Sequence, residues 1–317
     1  MSYNYYLKGV EQLLVNWAEQ HHKGELDPKY GVPVLLKQFT SGSILAPPDK
    51  AKSDQIFKLI PRHKLDNRYN SLKSSQALCQ SVFGGILIFG RLELLNGLQA
   101  ECGRPAFFDD YHDYSLEMEY EVDFLGEKPN GRTSIDVMFL GKQNRVAVEC
   151  KFTEKEFGTC SRPKLKKDCW GYKEQKCNRN YQIQRGRNER CSLTQIGIRY
   201  WDFLPKLFNW DADRDYTPCP FEKSYQLARN ALAATVSKEG KLDPARGHVL
   251  VVYDARNPEF LADGKAENQW RFIEKASLVP GLFRRISWQR LMTELAMASE
   301  LNYLVQGMGN KYGFKTE

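Results

Sequence analysis

Residues 115–124 read Ser-Leu-Glu-Met-Glu-Tyr-Glu-Val-Asp-Phe. Leu116, Met118, Tyr120, Val122 and Phe124 alternate with polar residues over the whole run. A helix cannot sort such a pattern onto one side, because its repeat is 3.6 residues. A strand can, so the spacing predicts a half-buried antiparallel strand. Two further strand-like runs follow, at 133–140 (TSIDVMFL) and 145–152 (RVAVECKF). Pro129-Asn130-Gly131 signals a turn before them. Gly141-Lys142-Gln143-Asn144 joins them as a tight hairpin.

This hairpin concentrates chemistry. On 145–152, Val146, Val148, Cys150 and Phe152 fall on one face, and Arg145, Ala147, Glu149 and Lys151 on the other. If the turn centres on Lys142-Gln143, Leu140 faces Arg145 and Asp136 faces Glu149. Directly opposed residues have Cβ atoms about 5 Å apart. Two carboxylates that close repel unless they are neutralised. Lys151, placed diagonally, supplies part of the compensation. A divalent cation held by oxygen ligands, Mg²⁺ or Mn²⁺, would supply the rest. A surface acid pair beside a lysine is the bland alternative.

Around the hairpin, residues 3–20 have the spacing of an amphipathic helix, with Leu7, Val10, Leu14 and Trp17 on one side. Residues 31–70, with Pro33, Pro47, Pro48 and Pro61, are expected to be mostly irregular. Ser74 or Ser75 can cap a helix carrying Ala77, Leu78, Val82 and Ile86, which Gly84-Gly85 would break or kink. Residues 153–220 look like a polar, basic insertion. Residues 222–236 read as a helix, 248–253 as a buried strand and 288–304 as a last helix. No Gly-Lys-Ser/Thr phosphate loop or dinucleotide fingerprint occurs. No apolar run is long enough to span a membrane, and the first residues lack signal-peptide features. The expectation is a cytoplasmic protein whose eight cysteines are thiols or metal ligands rather than disulfides.

The hairpin and its surroundings resemble the PD-(D/E)XK nuclease superfamily, the restriction-endonuclease-like fold. The match is Ile135-Asp136, then Glu149-Cys150-Lys151, within the order helix (74–98), three strands (115–124, 133–140, 145–152), helix (222–236), strand (248–253). Where the superfamily motif begins with proline, this chain has Ile135. The segments SSQALCQSVFG (74–84), KFTEKEFGTC (151–160), CSLTQIGIRYW (191–201) and SYQLARN (224–230) look like a group of bacterial proteins described as restriction endonucleases. The resemblance implies an α/β fold: a mixed four- to five-stranded sheet flanked by helices. Residues 1–73 would pack on a core of 74–260 carrying the insertion 153–220, and 261–317 would add a helical extension.

The resemblance also implies an activity: metal-dependent hydrolysis of phosphodiester bonds, in DNA, in a restriction or defence setting. Asp136 and Glu149 would bind Mg²⁺ together with the backbone carbonyl of Cys150. Lys151 would orient or deprotonate the attacking water; the sequence does not choose between a base and an electrostatic stabiliser. Gln226 stands where related nucleases place a glutamine by the active site. Arg229 and Asn230 share its helix face and could touch phosphate. Glu119 or Glu121 could help with a second ion, although solvent exposure is the expected fate of both. Related enzymes dimerise to cut both strands, so a homodimer is a further implication. The competing class is a nucleic-acid-binding protein that keeps the fold without cleavage.

Residues 160–190 carry ten Lys and Arg against three acids, a surplus of seven that equals the net charge of the whole chain. A basic segment this concentrated fits a polyanion. Lys164, Lys166, Lys167, Arg185 and Arg187 are its candidate phosphate contacts. Trp170, Tyr172 and Tyr181 interleave with them, either to stack on bases or to form a small satellite core. Cys160, Cys169, Cys177 and Cys191 fall in the same stretch. They could bind Zn²⁺ or, as in some nucleases of the resembled fold, an iron–sulfur cluster, and so order a segment with little to bury. The alternative is four reduced thiols.

Overall fold

The computed structural model describes residues 1–27, 41–108, 113–127, 133–142, 144–169 and 171–317. The expected turn at Pro129-Asn130-Gly131, Pro33, Gln143 of the hairpin and Trp170 lie outside the described residues.

Five strands form one mixed sheet in sequential order: β1 (Ser115–Val122), β2 (Thr133–Leu140), β3 (Arg145–Cys150), β4 (Gly247–Tyr253) and β5 (Phe283–Ser287). The first three are antiparallel neighbours, and β4 and β5 continue the sheet in parallel. Leu140 pairs with Arg145 and Val137 with Val148, the register expected from the hairpin turn. β5 lies within the stretch expected to be a helical extension, where its short run FRRIS offers no clear alternation.

Helices cover both faces. One face takes α1 (Tyr3–His21), α2 (Lys50–Lys58), α3 (Ser75–Ile88), α9 (Trp288–Leu295) and α10 (Asn302–Tyr312). The other takes α7 (Tyr225–Thr235), α8 (Lys265–Ala276) and the 153–220 segment, whose helices α4 (Tyr172–Gln175), α5 (Leu204–Leu207) and α6 (Pro220–Lys223) are one turn each. The expected irregular stretch 31–70 therefore contains a helix. α2 begins after Pro47-Pro48 because Asp49 accepts hydrogen bonds from the Ala51 and Lys52 amides. The single helix expected over 288–304 is two, α9 and α10, separated by a 3₁₀ turn at Ser299–Leu301.

α3 starts where expected, with the Ser74 hydroxyl capping the Ala77 amide. It does not break at Gly84-Gly85. A Cβ on Gly84 would meet Ile56 Cγ2 at 2.9 Å, and one on Gly85 would meet the Tyr303 hydroxyl at 2.8 Å. The pair allows α2 and α10 to approach α3, instead of ending it.

β1 departs from the single face implied by its alternation. Leu116 and Met118 enter the core under α3, whereas Tyr120 and Val122 enter the opposite one. β2 changes face at the matching step, between Ile135 and Val137. The hinge is Glu119, a non-glycine residue at φ +49°. Met118 pairs with Val137 and Tyr120 with Ile135, but Glu119 and Asp136, between them, do not pair. Such a conformation costs on the order of 1–3 kcal/mol and survives only where neighbours over-determine it.

Candidate active site

The interruption of the ladder builds a cleft. β2 and β3 pair up to Val137–Val148, and the next opposed residues are Asp136 and Glu149. There Asp136 stops acting as a plain ladder residue: its Oδ2 accepts the Cys150 amide at 2.7 Å. The strands splay beyond that point, and a cavity of about 540 Å³ opens, lined by Asp136, Glu149, Cys150, Lys151, Gln226 and Arg229 among others.

Glu149 is 2% exposed, and every contact it makes is a donor. Lys151 Nζ lies 2.9 Å from Oε1, Gln226 Nε2 donates to the same oxygen at 2.8 Å, and Asn230 Nδ2 donates to Oε2 at 2.8 Å. Gln226 is the hub of the group. Its Oε1 accepts Lys151 Nζ at 3.1 Å and the Gly158 amide at 2.7 Å, so one side chain fixes the carboxylate, the ammonium and the start of the basic segment.

Asp136 is half-buried, and among the described residues only its Oδ2 accepts a hydrogen bond. Burial, then the charges of Glu149 and Glu119, hold its carboxyl well above the usual range, against the opposing pull of Lys151. Burial disfavours the Lys151 ammonium, but Glu149, Glu154 and Asp136 outweigh it and keep the side chain charged. With both carboxyls ionised, the half-buried Asp136 and the buried Glu149 would carry one negative charge more than Lys151 offsets.

That donor set suits a hard divalent cation. Among the described residues no three His, Cys, Asp or Glu side chains form a group that could hold a metal ion. An ion at Asp136 and Glu149 would therefore complete its shell with backbone carbonyl and water, the usual habit of Mg²⁺.

Glu119 is not solvent-exposed, contrary to expectation. It is 6% exposed and lines the cavity. The Ser134 hydroxyl donates to its Oε2, Gln76 Nε2 donates to its Oε1, and Lys64 Nζ donates to its carbonyl at 3.0 Å. Both of its carboxylate oxygens have donors, as do both oxygens of Glu149. Glu121 is half-buried beside Lys64, 3.4 Å away. Sequence reasoning missed Lys64, Gln76, Ser134 and Glu154. Only Gln76 and Glu154 left a signal, within the family-like segments 74–84 and 151–160.

The profile of a family described as restriction endonuclease associating with ARP matches residues 12–313. The chain belongs to this family. The family description points to a nuclease or defence role and to nucleic acid as a partner. No curated protein and no solved structure matches the chain. Among the described residues of this REase-ARP protein, no helix is long and apolar enough to cross a membrane.

The expected nucleic-acid contacts divide. Lys164, Lys166, Lys167 and Arg185 are exposed. Lys164 also reaches the cleft, donating to the Thr159 hydroxyl at 3.2 Å, and Thr159 lines the cavity. Arg187 is a correction: it is 6% exposed and its three guanidinium nitrogens are buried, with no hydrogen-bond partner among the described residues, so no phosphate can reach it from outside. Arg229 lines the cavity, but its guanidinium is committed to the Ser134 carbonyl at 2.7 Å and to Asn230. Tyr181 stacks on Trp201 with ring centroids 3.7 Å apart and belongs to a satellite core, not to a base platform. The expected cysteine quartet is also regrouped. Cys160, Cys177 and Cys191 come together with Cys219, and Cys169 stays outside.

Proposed function

We propose that this REase-ARP protein is a Mg²⁺- or Mn²⁺-dependent endonuclease that hydrolyses phosphodiester bonds in DNA. The observation that carries the reading is the meeting of Asp136, Glu149 and Lys151 in one cavity at the splayed end of β2 and β3. Pure binding of a polyanion needs no buried acids facing it, and their repulsion would weaken such binding.

Asp136 and Glu149, with the Cys150 carbonyl, would hold the ion. The ion supplies an activated water and neutralises charge on the scissile phosphate. Lys151, charged and pinned between Glu149 and Gln226, acts as an electrostatic stabiliser rather than as the base. Gln226 and Asn230 fix the Glu149 carboxylate and prevent it from turning toward solvent. Positioning of this kind matters because a displacement of 1 Å can cost on the order of 100-fold in rate. The exposed Lys164, Lys166, Lys167 and Arg185 would hold the DNA backbone. Cutting both strands takes two such sites, which a homodimer would supply.

Glu149→Ala and Lys151→Ala test the assignment. Each is expected to remove cleavage of duplex DNA while circular dichroism stays native. A folded Glu149→Ala protein that cleaves at the wild-type rate would overturn it.

A further inference from the structure

The basic segment has little to hold it in place. Among the described residues from 161 to 192, Tyr181 is the only apolar side chain in the core. The same stretch carries a positive surplus equal to the net charge of the whole chain, and it repels itself. Yet its backbone is tied closely to the 216–222 region. The Cys160 amide donates to the Glu222 carbonyl at 2.9 Å, the Cys219 amide to the Arg179 carbonyl at 2.8 Å, and Tyr181 and Tyr216 exchange backbone bonds at 2.9 and 2.8 Å.

These ties bring four cysteines together. All eight cysteines of the chain are free thiols. Cys160, Cys177, Cys191 and Cys219, from four separate stretches, line one small cavity of about 20 Å³. Small apolar packing would not require four thiols around one void. A water-sized sphere occupies on the order of 10–15 Å³. The void therefore has room for one ion.

We propose that Cys160, Cys177, Cys191 and Cys219 form a structural tetrathiolate site for a single Zn²⁺, which staples the basic segment onto the nuclease core. The reading is independent of the catalytic one. As free thiols the four do not form a ready metal group. The Cys177 sulfur is turned toward the Asn180 carbonyl at 3.7 Å and Gln184 Nε2 at 3.9 Å. Cys160, Cys191 and Cys219 do not form such a group by themselves either, so binding draws all four sulfurs inward. Four thiols release four protons and four Zn–S bonds form, which leaves a complex of net charge −2. That charge offsets part of the local positive field.

The test uses full-length protein purified without chelator. Metal analysis is expected to find about one zinc per chain, and a mercurial that blocks thiols should release it after about four equivalents. Co²⁺ replacing the zinc should give the intense absorption of a tetrahedral thiolate complex. Cys169→Ser should keep the zinc, Cys219→Ser should lose it, and Cys219→His should retain an ion. If Cys219→Ser fails to fold, the wild-type stoichiometry and the Cys169→Ser control still decide. Wild-type protein with less than about one-tenth zinc per chain and no cobalt absorption would overturn the proposal. So would iron in place of zinc, disulfides among these cysteines in freshly isolated protein, or zinc lost from Cys169→Ser and kept in folded Cys219→Ser.

Discussion

Asp136→Asn separates the electrostatics of the cleft from its packing. Asparagine has the same shape, and its carbonyl oxygen can still accept the Cys150 amide that Asp136 Oδ2 holds at 2.7 Å. The variant loses one negative charge beside Glu149 and Glu119. Two unit charges about 5 Å apart repel by about 3 kcal/mol at an effective dielectric near 20. Lys151 offsets part of this, which leaves roughly 1–2 kcal/mol in favour of the neutral side chain. The sign with pH follows from linkage. A carboxyl raised in the fold binds its proton more tightly folded than unfolded. The wild-type fold therefore loses stability as pH rises above the ordinary value of 3.8, until the folded-state value is passed. In EDTA at pH 7.5 the variant should melt about 2–4 °C above wild type. Magnesium should reverse the order: at ten times its dissociation constant it stabilises a site by about 1.4 kcal/mol, and only wild type has the full site. Calorimetry with and without Mg²⁺ reads both effects. A variant that melts below wild type in EDTA, or gains as much from Mg²⁺, would refute the reasoning.

Three further outcomes are expected. Gln226→Ala should slow cleavage by roughly 10- to 100-fold, mainly in kcat, because Glu149 and Lys151 lose their shared partner; an unchanged kcat would mean Gln226 is only a packing residue. Lys311 is buried against Trp17 and Tyr312, with the Ser43 carbonyl as its acceptor at 2.9 Å, and burial lowers its pKa to about 7. The unfolded chain keeps that proton up to its ordinary value of 10.5, so stability should climb by about 1.4 kcal/mol per pH unit between about 7 and that value. Lys311→Met should flatten that slope in denaturant titrations and stabilise the protein at pH 7, and an equal slope in both proteins would contradict this. Replacing Lys164, Lys166, Lys167 and Arg185 with Gln should lower the slope of log affinity against log salt by about 0.9 per lost contact on duplex DNA, while the buried Arg187→Met leaves it unchanged; equal effects would show the segment points elsewhere.

The hairpin and its register were readable because they rest on local rules: a period of two, one turn, and opposed positions across it. Asp136, Glu149, Lys151 and Gln226 follow from that geometry and from the family-like order of elements. The reversal at Glu119 was hidden. Alternation cannot reveal a backbone step that moves Tyr120 and Val122 to the other core while the strand pairing resumes in register beyond the unpaired Glu119 and Asp136. Arg187 and Cys169 were misassigned for a related reason. Composition places charges and thiols in a segment, but only long-range pairing, such as Cys219 with Arg179, decides which of them turn inward. α2 was missed because its capping signal at Asp49 follows two prolines that read as loop.

The central claim is that this cleft hydrolyses DNA with a bound divalent cation. Supercoiled plasmid incubated with the purified protein should be cut in Mg²⁺ or Mn²⁺, remain intact in EDTA, and remain intact with folded Lys151→Ala in either. Cleavage that persists in EDTA, or that Lys151→Ala performs at the wild-type rate, would contradict the account.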